Sequence, residues 1–236
     1  ALTDHTPGYG SAAKYIGTSM KEIIRDSFCL DHPKGIVTIV EIMGRNAGWL
    51  TGAAALSKSE DCDGPDLIYL PEMSFDIQAF RNNVEKLLQE KTSIVVAVSE
   101  GIRTADGKYV CELARDIDYV DSFGHKQLSG TAAYLASFIS GEFGCKTRAI
   151  EFGTLQRAGS HLASRVDILE AYQVGGAAAK AAIEGHTGEM ISLKRISNDP
   201  YQCTTQAHDI HKIANFEKKI PLEYPPLLLP IKEDNS

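Results

Sequence analysis

Arg45, Glu100 and Arg157 each stand past the end of a run expected to form a strand, and each is of a type that can hold an anion or a hydroxyl. The first run, residues 36–43, continues as Gly44-Arg45-Asn46-Ala47-Gly48-Trp49-Leu50. A run of β-formers feeding a Gly-Arg turn and a small-residue helix start is how an open α/β sheet offers backbone N–H groups and one guanidinium to an anion at the carboxyl end of a strand. The second run ends in Ser99-Glu100-Gly101, and the third in Gly153-Thr154-Leu155-Gln156-Arg157. Arginine makes charge-assisted, bidentate bonds to phosphate, and a carboxylate accepts hydrogen bonds from sugar hydroxyls. The three strand ends together predict a phosphorylated polyol as ligand. A structural ion pair of Arg45 with Glu100, capping two strands where solvent begins, is the competing reading.

Other reactive patterns carry less. Gly8-Tyr9-Gly10-Ser11-Ala12-Ala13 fits a dinucleotide pattern and opens a helix, yet seven polar, turn-like residues precede it where that fingerprint needs a strand. It is read as a closely packed helix start. His208 and His211 are three apart on an expected helix, but no nearby carboxylate or cysteine completes a metal site, so these, His161 and His186 are read as solvated and no metal ligand is assigned. Asp4-His5 has the composition of an acid/base pair without an evident setting. Ser99-Glu100-Gly101 lacks the elbow of a serine hydrolase.

The elements that must position the strand ends follow from periodicity. Residues 11–28 place Ile16, Met20, Ile23, Ile24 and Phe28 at helical spacing. Residues 36–43 and 93–100 are almost continuously apolar, as strands buried on both faces are. Leu67–Leu70 is a short strand, and Asp76 is placed to cap a helix carrying Ile77, Phe80, Val84, Leu87 and Leu88 on one face. Residues 101–127 are charged and read as an insertion before a helix at about 128–142; residues 148–152 make a fourth strand. A long alanine-rich helix is expected over 161–185, a strand over 189–196, a helix over 208–219, and an irregular proline-rich tail over 220–236. Buried strands alternating with amphipathic helices predict an α/β fold, a three-layer, doubly wound, mostly parallel sheet.

Composition narrows the class of partner. The chain has 236 residues, 43% hydrophobic, with net charge −7, which argues against a general nucleic-acid surface. Five scattered cysteines with no paired spacing read as reduced thiols. No apolar run approaches the ~20 residues of a membrane span, and no charged-then-apolar leader opens the chain. These features predict a soluble, cytoplasmic protein with no membrane partner.

Four stretches carry a resemblance: VEIMGRNAGWLTG at 40–52, LPE at 70–72, VVAVSEG at 95–101 and TRAIEFGTLQRAGS at 147–160. In this order, over most of the chain, they resemble the phosphofructokinase family. The opening TDHTPGYGSAAKY (3–15) is similar to the segment that follows the family's catalytic loop, whose T-I-D-N-D signature is absent here, as is the Gly-Gly-Asp donor loop. The resemblance implies phosphoryl transfer to the 1-hydroxyl of fructose 6-phosphate, a glycolytic step, with the catalytic aspartate and most Mg²⁺ ligands outside this chain, so the fragment alone is expected to be inactive. Met43, Gly44 and Arg45 would contact the sugar phosphate, with Arg45 also facing the moving phosphoryl group, and Glu100 would accept from sugar hydroxyls. Arg148 and Arg157 would hold the 6-phosphate, Arg148 across a subunit interface of a homo-oligomer. Thr154, Leu155 and Gln156 complete the implied substrate contacts. Thr154 stands where many ATP-dependent members have histidine, and Ile36 where a second cross-subunit arginine is expected, with Lys34 two residues away.

The implied organisation is a Rossmann-like sugar-phosphate lobe over 1–155, a segment of the donor lobe over 156–208, and a return to the sugar lobe over 209–236. The 101–127 insertion, ending near DSFGHKQLSG, and the opening segment are most similar to the pyrophosphate-dependent branch. An ATP-dependent kinase is the alternative within the family. A non-catalytic regulatory or sugar-phosphate-binding subunit is the alternative of another class.

Overall fold

Strand β1 (Ile36–Ile42) is buried at every position, and so is β3 (Ser93–Ser99), which is why both read as unbroken apolar runs. The structure, a computed structural model, describes residues 2–114, 130–221 and 223. With β2 (Leu67–Tyr69) and β4 (Lys146–Glu151), these strands form one parallel sheet in the order β2-β3-β1-β4. Ile42 pairs with Ser99 and Glu41 with Glu151, so the strand ends that carry the polar residues lie side by side. The connection leaving β1 crosses towards β2, while the one leaving β3 crosses towards β4. The carboxyl ends of β1 and β3 therefore flank a point where the winding reverses, the place where doubly wound sheets hold ligands.

Helices cover both faces of the sheet. On one, α3 (Ile77–Glu90) and α4 (Thr131–Phe143) bury Phe80, Val84, Leu135 and Ile139 against Val37, Ile39, Val96 and Val98. Asp76 caps α3 as its sequence predicts, accepting from the N–H groups of Gln78 at 2.7 Å and Ala79 at 3.0 Å. On the other, α1 (Tyr9–Phe28) buries Ile16, Met20 and Ile24, and its Ser27 hydroxyl meets that of Thr38 at 3.3 Å. The short helix α2 (Trp49–Gly52) follows the turn after β1. Helix α5 (Leu155–Ala158) follows β4.

Past Gly159 the chain forms α6 (Arg165–Ile183), β5 (Glu189–Asn198), β6 (Tyr201–Asp209) and α7 (Ile210–Ile213). The last two differ from expectation. Residues 201–209 are a strand antiparallel to β5, paired from Asn198↔Tyr201 to Glu189↔Asp209 across an Asp199-Pro200 turn. The helix expected over 208–219 shrinks to one turn, capped by Asp209 and ended before Asn215, whose φ is +63°. His208 and His211 thus lie on different elements. The alanine-rich helix starts four residues later than expected, after a short 3₁₀ turn over Ser160–Leu162. Of the charged 101–127 stretch, Arg103 bridges to Tyr109 and Val110–Ala114 is a 3₁₀ turn; the rest, with DSFGH, and most of the 220–236 tail lie outside the described residues.

Contacts divide the chain into two compact units. The sheet unit comprises Ile16–Gln156 with the residues from Lys219 onward; the hairpin unit comprises the residues up to Tyr15 with Arg157–Lys218. The divisions fall after Tyr15, Gln156 and Lys218. The opening residues stay with the hairpin unit because Ser11 donates its hydroxyl to Asp167 at 2.7 Å and His5 bonds to Glu170 at 3.0 Å. Residues 209–218 stay there too, since Ile210 N–H donates to Gly188 at 2.9 Å and the Lys218 ammonium to the Asp4 carbonyl at 3.0 Å.

Candidate functional site

The turn after β1 and the turn after β3 are bonded into one object. Gly44 N–H donates to Glu100 Oε1 at 3.2 Å, Glu100 N–H donates to the Ile42 carbonyl at 3.0 Å, and the Ser99 hydroxyl donates to the Gly44 carbonyl. A Cβ on Gly44 would stand 2.8 Å from the Ala47 carbonyl oxygen and 3.2 Å from Ser99 Oγ, so only glycine fits. Gly101 is as constrained: a Cβ there would overlap the Arg45 carbonyl. The backbone of Arg45 is therefore fixed against the end of β3. Gly48 N–H closes the far end of the turn on Glu72 Oε1 at 2.8 Å, and the same oxygen accepts from Ile220 N–H at 3.0 Å.

Met43 N–H donates to Gln156 Oε1 at 3.2 Å, and Gln156 Nε2 donates to the Gly153 carbonyl at 2.9 Å. Gln156 is only 2% exposed, so this amide ties the ends of β1 and β4 together. The Met43 and Gly44 amides are taken by Gln156 and Glu100. Gln156 bonds to backbone through both its amide oxygen and its amide nitrogen. Side chains from neighbouring strand ends reach these amides, which spacing along one chain segment does not reveal.

The other expected residues are placed as follows. Arg148, on edge strand β4, gives its Nη1 to Asp26 Oδ2 at 2.9 Å, with the arginine partly and the aspartate largely exposed. Thr154 and Leu155 are exposed beside Gln156, and Arg157, also exposed, follows in α5 and counts with the hairpin unit. Ile36 is fully buried in β1 and offers nothing to a ligand; Lys34, before it, is exposed.

Sequence reasoning passed over two groups. Arg103 donates Nη2 to Asn46 Oδ1 at 3.1 Å and lies 4.2 Å from the centre of the Tyr109 ring, placing a second guanidinium on the Arg45-Asn46 turn. Glu41, in the middle of an apolar strand, accepts from Ala132 N–H at 2.9 Å and so serves the start of α4, whose N-cap Gly130 has no side chain. Burial pushes the Glu41 carboxyl up to about 7; the Ala132 N–H opposes this, and the charges of Glu151 and Glu100 add to it.

In the hairpin unit, Asp4 and His5 acquire the setting the sequence did not show. Asp4 Oδ2 lies 2.8 Å from His5 Nδ1, Glu170 Oε2 lies 3.0 Å from His5 Nε2, and the Tyr201 hydroxyl donates to Glu170 Oε1. The Gly10-Ser11 helix start is packed against buried Asp167, whose carboxylate takes both the N–H and the hydroxyl of Ser11. That agrees with a packing role for the glycine-rich opening. His186 pairs with Glu189 at 2.9 Å, and His161 makes an edge contact with Tyr15.

Residues 1–182 match the phosphofructokinase family. The chain belongs to that family. It is 40% identical over 225 residues to the pyrophosphate–fructose 6-phosphate 1-phosphotransferase of Halomonas elongata, covering 94% of this chain and 52% of that protein. The enzyme of the same name from Xanthomonas campestris is 40% identical over 221 residues, with the same coverage. Among solved structures, the pyrophosphate-dependent phosphofructokinase of Marinobacter aquaeolei superposes with a TM-score of 0.78 at 31% identity, over 99% of this chain and 54% of that one. The chain spans about half the length of the relatives it matches. In this chain the Gly44-Arg45 turn and the Glu100 carboxylate are joined at the winding reversal. Among the described residues no helix is long and apolar enough to cross a membrane.

Proposed function

We infer that this chain supplies the fructose 6-phosphate side of a phosphoryl transfer from pyrophosphate to the sugar 1-hydroxyl. The observation that carries this reading is the bond from Gly44 N–H to Glu100 Oε1, which brings a guanidinium-bearing turn and a carboxylate together where a doubly wound sheet takes its ligand. The names of the relatives supply the substrates. Glu100 accepts hydrogen bonds from the sugar hydroxyls, a carboxylate having about four lone-pair sites. Arg45, its backbone fixed by Gly101, stabilises charge on the moving phosphoryl group, and Met43 and Gly44 form the wall beneath the sugar. Arg148 and Arg157 take the 6-phosphate, beside Thr154 and Leu155. Arg148 does so from an edge strand in a homo-oligomer, where phosphate competes with Asp26 for its guanidinium. The enzyme acts in the cytoplasm, with the other sugar phosphates.

No general base is assigned within this chain. Mg²⁺ would neutralise the donor, but a hard cation takes oxygen ligands, and the one group of metal-type donors among the described residues is His5, Glu170 and Cys203. These donors do not fit Mg²⁺.

The test is an assay of the full-length enzyme with pyrophosphate and with ATP in turn. Turnover with pyrophosphate is expected; turnover with ATP alone overturns the choice of donor, and none with either overturns the activity. Arg45→Ala lowers kcat by the equivalent of about 2–4 kcal/mol while KM for the sugar phosphate changes little. An unchanged kcat removes Arg45 from the transition state.

A further inference from the structure

Three separate segments of the hairpin unit converge on one set of metal-type donors. His5 comes from the segment before α1, Glu170 from α6 and Cys203 from β6, and their ligand atoms all lie within 4.8 Å of one another. Glu170 is 5% exposed, a degree of burial that carboxylates show only when paired or ligating. We propose that His5 Nε2, a Glu170 carboxylate oxygen and Cys203 Sγ form a binding site for a borderline-soft divalent cation of the Zn²⁺ class.

The donor set selects the metal. One imidazole, one thiolate and one carboxylate suit Zn²⁺ and its neighbours and not Mg²⁺ or Ca²⁺, which take oxygen alone. The separations suit it as well. Nε2 and Glu170 Oε2 are 3.0 Å apart, and two donors on a tetrahedral Zn²⁺ with bonds of about 2.0–2.1 Å stand about 3.3 Å apart. Those two side chains need to open only slightly, while rotation about the Cys203 side chain brings Sγ in from its present contact with the Thr204 carbonyl at 3.6 Å. The Tyr201 hydroxyl, 3.1 Å from Nε2, lies where a fourth ligand or a bound water would stand.

The surroundings have the form of an outer ligand shell. Asp4 Oδ2, 2.8 Å from His5 Nδ1, holds the proton on Nδ1 and leaves Nε2 for the metal, the carboxylate–histidine–metal arrangement that orients a ligating ring. Arg195 Nε, 3.1 Å from Asp4 Oδ2, fixes that carboxylate in turn. Binding replaces the Nε2–Glu170 hydrogen bond with two metal bonds and sends both the proton of that hydrogen bond and the Cys203 thiol proton to solvent. Three chain segments that otherwise meet through hydrogen bonds would then share one metal centre.

The experiment titrates the full, metal-free chain with Co²⁺, a spectroscopic stand-in for Zn²⁺, in a Cys29→Ser background because Cys29 is exposed. One equivalent should bind with a thiolate-to-cobalt charge-transfer band and tetrahedral d–d bands, and Zn²⁺ should displace it. Cys203→Ser should abolish the charge-transfer band, and Asp4→Asn should weaken Zn²⁺ binding about 10–100-fold, with circular dichroism showing both variants folded. Absence of the band at saturating Co²⁺ in the Cys203-containing chain overturns the proposal whatever the variants do. A band that survives in folded Cys203→Ser overturns it equally.

Discussion

Gly101 is the residue at which a single added carbon tests the site. Its missing Cβ is the space occupied by the Arg45 carbonyl, with backbone atoms on the other side of the contact and no flexible side chain to give way. Gly101→Ala should therefore destabilise the chain by about 1–3 kcal/mol, the usual cost of overpacking, and should displace Arg45 enough to lower turnover of the full-length enzyme by up to about 100-fold. Thermal melts and steady-state kinetics on the same variant check both; a melt and a kcat within error of the parent would show that the turn tolerates displacement. At this scale the sequence was informative about identity and silent about bonding. Gly44, Arg45 and Glu100 were legible as chemistry because they interrupt apolar runs. That Glu100 faces the Gly44 amide and Gln156 the Met43 amide was not legible, since the partners are 56 and 113 residues apart in the chain. Arg103 was missed for the same reason: only folding brings it to Asn46.

Among the elements, β1 and α4 share one titratable group. Glu41 replaces the side-chain cap that α4 lacks, and it is buried next to the carboxylates of Glu100 and Glu151. Its carboxyl titrates at about 7 in the fold against 4.5 for the free group. Between those values the folded chain holds a proton that the unfolded chain has lost. The stability contributed by this proton is thus complete below about pH 4.5 and declines by at most about 3 kcal/mol as pH rises to about 7, then stays level. Glu41→Gln keeps an acceptor for Ala132 N–H and cannot ionise. Denaturant melts at about pH 5 and about pH 8 should show the parent losing more stability than the variant across that interval; equal losses would mean that Glu41 keeps its ordinary acidity. The elements themselves were legible where burial is two-sided, as in β1 and β3, or where a cap and an apolar stripe coincide, as in α3. Strand β6 was not. Its residues Tyr201-Gln202-Cys203-Thr204-Thr205-Gln206-Ala207-His208-Asp209 are mostly polar and never fully buried, so no alternation marks them, and the ladder to β5 alone makes them a strand.

Over the whole molecule, the net charge is negative and burial is unevenly distributed. A chain of net charge −7 repels phosphates at long range, so a sugar-phosphate site in it must depend on local arginines. The core is concentrated as well. In the sheet unit, β1 and β3 are buried at all fourteen positions. In the hairpin unit, β6 has no fully buried position and β5 has two, Ser192 and Leu193. Helix α6 exposes Ile168, Leu169, Tyr172 and Ile183, Tyr172 at 85% and Ile183 at 86%. Apolar burial supplies most of the free energy that holds a backbone closed, so local opening should cost much less in the hairpin unit than in the sheet unit. Amide hydrogen exchange on the 236-residue chain reads this directly. The amides of Val37–Ile42 and Ile94–Ser99 should be the slowest in the molecule, and those of β5 and β6 should exchange at least about tenfold faster, the equivalent of about 1.4 kcal/mol in opening free energy. Equal protection of the hairpin and the parallel sheet would mean that hydrogen-bonded pairing, and not two-sided burial, sets the stability of this chain.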